Sequence, residues 1–169
     1  MATVELRFVA LPAHVRTARL IAGVLARRAG VHEAVIDEIK LAVGEACSRA
    51  VGVHARSCPD EQVIVRGIDG VKDFAGLPAF VLEVEDHGPT GEDVPRDETG
   101  ALPAAVTLLD VDEMAEPDAG ADAQLPAGMR LAMIEGLVDN LQVTPIDGRQ
   151  GTVVRMTWPL MLPELDDVS

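Results

Sequence analysis

The segment GEACSRAV, residues 44 to 51, sets Glu45 and Arg49 one helical turn apart in an otherwise apolar stretch. A carboxylate there can serve as a general base or a metal ligand. A guanidinium can do neither, because it carries no acceptor lone pair. Side chains at i and i+4 share one helix face, so both groups point at one site. Two partners are open to Arg49. It can pair with Glu45, an exposed contact of about 0.5 kcal/mol that lowers the basicity of the carboxylate. Alternatively it can meet phosphate oxygens directly. Three further stretches bear on the same chemistry. VEDHGPTG closes a strand pattern with Asp86, Gly88 and Gly91; LPAGMRL brings Gly128 and Arg130 to a helix start; GTVV supplies Gly151 and Thr152. Glycine ahead of a helix bares backbone amides that can hold phosphate. An Asp-x-Gly sequence at a strand end is also a common turn, and Gly-Thr at a strand start is a common hairpin exit.

These groups need elements to carry them. TVELRFVAL alternates Val4, Leu6 and Phe8 against Glu5 and Arg7, a half-buried strand that Pro12 ends. Residues 14 to 29 follow as a helix with apolar positions at 18, 21, 22 and 25, closed by Gly30. A second helix runs from Glu33 to about His54, with Val35, Ile36, Ile39, Ala42, Val43, Ala46 and Ala50 on one face. EQVIVRGID and PAFVLEVED read as antiparallel strands, with the glycine-bearing region 67–78 as the loop between them. GMRLAMIEGLVDNLQV reads as a third helix through Leu131, Ile134, Leu137, Val138 and Leu141, and GTVVRMTWPL as the last strand. The order implies an α+β two-layer sandwich, a mostly antiparallel sheet covered on one face by helices, in a single domain over residues 1–169.

Composition narrows the function. The formal charge is −14, and aromatics amount to one Trp, three Phe and no Tyr. That excludes direct nucleic-acid binding, which requires a basic surface and, for single strands, stacking platforms. Ten acidic residues against Arg96 alone make the stretch from Gly91 to Leu125 worth −9, leaving −14 + 9 = −5 for the rest. That acidic stretch reads as a loop with one apolar patch, AAVTLLDV. Cys47 and Cys58 lack CxxC spacing, which fits a reduced cytoplasmic protein, and no apolar run reaches membrane-spanning length. His14, His32, His54 and His87 lack metal-ligand spacing and read as surface or cap residues. Met129, Met133 and Met156 read as core.

Taken in order, EIKLAVGEACSRAV, VEDHGPTG, LPAGMRLAMIEGLVD and GTVVRMTW resemble the boxes of the GHKL ATPases, and among these the anti-sigma-factor serine kinases of bacterial partner-switching circuits. The resemblance runs from about Thr3 to Leu160 and implies the Bergerat-type fold. In that family the first box is Glu-Ala-x-x-Asn: the Glu is general base toward a serine of the anti-anti-sigma partner, and the Asn holds the magnesium that bridges the ATP phosphates. Glu45 matches the Glu, while Arg49 stands at the Asn. Asp86 and Gly88 match the Asp-x-Gly-x-Gly box that reads adenine, but Thr90 replaces its second glycine and Gly91 comes one residue late. Of the phosphate-loop glycines only Gly128 remains, with Pro126 and Arg130 in the box; Gly151 and Thr152 match the last box. Metal-assisted phosphoryl transfer is mostly positioning and charge neutralisation. The resemblance therefore implies a regulator that binds a sigma factor, a STAS-domain anti-anti-sigma protein or both. It implies a homodimer, weak ATP or ADP binding, no secure magnesium site and a kinase activity weakened or lost. An active serine/threonine kinase, and a scaffold without a sigma target, are the alternatives.

Overall fold

The structure, a computed structural model, describes residues 2–89 and 127–160. Strand β1 (Ala2–Val9) leads into helix α1 (Pro12–Ala29), and a short 3-10 turn (Glu33–Val35) into helix α2 (Ile36–Ser57). Strands β2 (Gln62–Lys72) and β3 (Pro78–Asp86) form a hairpin; helix α3 (Ala127–Glu135) then precedes β4 (Asn140–Pro145) and β5 (Thr152–Pro159). All five strands make one antiparallel sheet in the order β1-β2-β3-β5-β4.

The core follows the alternation of the strands. Phe8, Val63, Val65, Phe80, Leu82, Val84, Val154, Met156 and Trp158 pack against Ala18, Ala22 and Ala26 of α1 and Ile36, Ile39, Val43 and Ala50 of α2. Small residues on α1 bring the two helices close. Gly67 lets α1 settle on the sheet, since a Cβ there would lie 2.7 Å from Leu25 Cδ1. The α+β sandwich expected from the sequence is therefore present.

Four local expectations change. Pro12 does not merely end a strand; it opens α1 at the first helical position, where its missing N–H is no loss. The 67–78 loop is shorter than its glycines suggest, because β2 continues through a bulge between Ile68 and Val71 to Lys72. The third helix stops at Glu135, and Leu141 belongs to β4, hydrogen-bonded alongside β5. Met133 is exposed, although Met156 is core as expected. The acidic stretch 91–125 with AAVTLLDV, together with Gly91, Thr90 and Pro126, lies outside the described residues.

Candidate functional site

Three elements converge at one end of the sheet. The middle of α2 supplies Glu45 and Arg49, the end of β3 supplies Asp86, and α3 supplies Arg130, with Gly128 in its first turn. Thr152, buried at the start of β5, is the register partner of Asp86. Two glycines set the approach of the chains. A Cβ on Gly88 would fall 1.9 Å from Val53 Cγ1, so the turn after β3 lies directly on α2. Gly151 holds φ +136°, and a Cβ there would lie 2.4 Å from the Asp86 carbonyl oxygen.

Arg49 does not pair with Glu45. Its Nη1 donates to Asp86 Oδ2 at 2.5 Å, and the two side chains are 3% and 1% exposed. The other Asp86 oxygen accepts the Gly88 N–H at 3.0 Å. Arg49 Nε is buried without an acceptor. The physical reason for the exchange of partners is desolvation: a guanidinium turned into the domain must meet a carboxylate there, and the end of β3 offers one. Glu45 is taken instead by Arg130, whose Nη1 donates to its Oε2 at 2.7 Å. Arg130 is thus an ion-pair partner of Glu45.

Histidines and acids brace the same turn. His54 is fully buried, against the expectation of a surface or cap role. Its Nε2 accepts the His87 N–H at 2.9 Å, which places its proton on Nδ1, toward the Glu61 carbonyl at 3.1 Å. His32 does cap, accepting the Ala34 N–H ahead of α2. His87 bridges Glu61 and Glu85, and Glu85 also receives Arg66 and Arg149. Burial pushes the Glu85 carboxyl up, but the hydrogen bonds from Arg66 and His87 outweigh it and hold the group below its ordinary value. Cys58, at the end of α2, is pushed up by burial and by the nearby carboxylates of Asp86 and Glu61, and Cys47 by burial alone to about 12.

Glu45, Arg49 and Arg130 also border a groove of about 720 Å³ between α1 and α2. Arg16, Arg19 and Arg56 line it too, and none of them falls in a box. The pair of arginines at i and i+3 on α1 was the available signal. Among the described residues no group of three or more His, Cys, Asp or Glu side chains could hold a metal.

The histidine kinase-like ATPase domain family matches residues 8–158. The solved RsbU and RsbW domains of Rv1364c from Mycobacterium tuberculosis superpose with a TM-score of 0.57 at 18% identity, over 96% of this chain and 34% of that one. This chain thus spans about a third of that protein's length, and the likeness concerns the fold. No curated protein matches it in sequence.

Proposed function

This chain belongs to the histidine kinase-like ATPase domain family, and from that premise we propose that it is an anti-sigma type regulator acting by binding rather than by phosphoryl transfer. Its targets are a sigma factor, a STAS-domain anti-anti-sigma protein or both, and it works as a homodimer in the bacterial cytoplasm. Among the described residues no helix is long and apolar enough to cross a membrane.

One observation carries the reading: the Arg49–Asp86 pair. In this family the Asp accepts a hydrogen bond from the adenine amino group. Here both Asp86 oxygens already have donors, and a buried guanidinium stands where the metal-holding Asn should be. The donor set speaks against magnesium, since Arg49 offers no lone pair and repels a cation. Arg130 on Glu45 adds a second obstacle, because it occupies the carboxylate that would have to accept the serine proton. A kinase would have to break both pairs. The remaining ATP or ADP affinity is therefore weak.

The test is to mix the purified chain with sigma factors and STAS-domain proteins encoded in the same genome, and to follow complex formation by size-exclusion chromatography with light scattering. A complex that forms equally with and without nucleotide is expected. Formation only with ATP and magnesium, or transfer of labelled phosphate to the partner, would refute the reading.

A further inference from the structure

Helix α2 carries Gly44, Ser48 and Gly52 at successive turns of one face. Glycine weakens a helix interior relative to alanine, so two of them call for a reason. An arginine lies over each. Arg19 crosses from α1 over Gly44, its Cδ 2.9 Å and its Nε 3.3 Å from where a Cβ would sit. Arg56 folds back over Gly52, with Nη1 3.6 Å from the corresponding point. The small side chains make a floor on which guanidinium groups rest close to the helix backbone.

That floor belongs to the groove between α1 and α2, and Arg16, Arg49 and Arg130 complete its basic lining. Among the described residues, five arginines line the groove and the one carboxylate is Glu45, which Arg130 already holds. In a chain of formal charge −14 the described lining is thus locally basic. Among the described residues neither Arg16 nor Arg19 has a hydrogen-bond or ion-pair partner. Arg49, more than nine-tenths buried, also borders the groove, and its Nε finds no acceptor.

We propose that the α1–α2 groove binds a phosphomonoester dianion, without metal, through Arg16 and Arg19. A guanidinium presents parallel N–H donors that match phosphate oxygens, and a phosphomonoester offers three terminal oxygens and nearly two charges to several arginines at once. A single carboxylate has two oxygens and one charge, too few for this lining. Nucleic acid is disfavoured by the overall negative charge. Adenine nucleotides are disfavoured because Arg49 holds Asp86. The phosphate comes either as a free small anion or on a phosphorylated protein side chain. The proposal stands apart from the sigma-factor reading, because its probes contain no partner protein.

The experiment is calorimetry on the full chain in EDTA, with inorganic phosphate, a phosphoserine peptide, and the unphosphorylated and aspartate forms of that peptide. Inorganic phosphate and the phosphopeptide should bind, and the unphosphorylated peptide should not. A phosphopeptide markedly tighter than inorganic phosphate assigns the site to a phosphorylated protein; equal affinities assign it to a small phosphate. Arg16→Gln and Arg19→Gln should each weaken binding about tenfold or more. Gly44→Ala separates the site from the fold: its methyl group displaces Arg19 and weakens binding, while the melting temperature rises through better helix propensity. The proposal is overturned by absence of phosphate binding at millimolar concentration, by unchanged affinity in the arginine variants, or by an aspartate peptide that binds as tightly as the phosphopeptide.

Discussion

Replacing Arg49 by methionine removes a guanidinium but keeps most of the side-chain volume, and the cost can be worked from its surroundings. Asp86 Oδ2 loses its donor in a site where the carboxylate is 1% exposed, while Oδ1 keeps the Gly88 N–H. Removing one member of a buried ion pair costs about 3–5 kcal/mol, because the survivor stays charged and desolvated. Against a typical total of about 5–15 kcal/mol this is a large share. For a chain of this size each kcal/mol shifts the melting temperature by about 2–4 °C, so a fall of roughly 10 °C is expected. Asp86→Asn should cost a similar amount: it leaves Arg49 charged among buried groups, with Nε already unsatisfied. The double variant removes both charges and leaves the Asn oxygen for the Gly88 N–H. It should be more stable than either single variant, with a coupling of about 2 kcal/mol or more. Urea denaturation of the four proteins at pH 7 measures the cycle. Additive effects below about 1 kcal/mol each would mean that Arg49 and Asp86 do not share a buried bond, and the argument for a self-occupied site would collapse.

The same geometry makes three further predictions. Gly151→Ala should destabilise by about 2–3 kcal/mol, since its φ of +136° and the adjacent Asp86 carbonyl both exclude a side chain; a neutral result in thermal melts would contradict that packing. At pH 8 Ellman's reagent should reach at most one thiol in the native chain, because burial pushes Cys47 up to about 12, and two thiols after unfolding. Glu85 is held below its ordinary value of 4.5, so the folded state releases its proton more readily than the unfolded one. Its contribution is therefore complete above about pH 4.5 and is lost as pH falls through the lower folded value. Glu85→Gln should be less stable at pH 7 and show a shallower acid limb in urea melts between pH 3 and 7; an unchanged acid limb would argue that Glu85 is not ionised in the fold.

What could be read in the sequence was whatever depends on local period. Alternation in VELRF and FVLEV, and the 3.6-residue stripe from Ile36 to Ala50, correspond to β1, β3 and α2 because each buries one face against a single core. The period misled at residues 131–141, where Leu131, Ile134, Leu137 and Leu141 mimic a helix although Leu141 and Val143 already alternate in β4. His54 was legible in hindsight: Ala46, Ala50 and His54 continue one stripe of α2, and all three are buried. The partner of Arg49 was not legible. The i,i+4 rule points to Glu45, whereas the bond runs to Asp86, 37 residues away, and the register of β3 and the approach of Gly88 to Val53 decide it. Arg130 and Glu45 are farther apart still, and α3 alone brings them together. The boxes contain Glu45, Arg49, Asp86 and Arg130; tertiary contacts determine which of these charges neutralise each other.

The claim that Arg49 has closed the nucleotide site is tested most directly by calorimetry with ATP and ADP, with and without magnesium, on the parent chain and on Arg49→Asn. The parent should show weak binding that magnesium does not improve, because Asp86 already has its donors and the metal position carries a positive charge. Arg49→Asn frees Asp86 and restores a neutral acceptor, so it should bind more tightly and gain from magnesium, though Arg130 still holds Glu45. A magnesium-dependent dissociation constant in the low micromolar range for the parent, with weaker binding in Arg49→Asn, would make Arg49 a phosphate ligand and contradict the account.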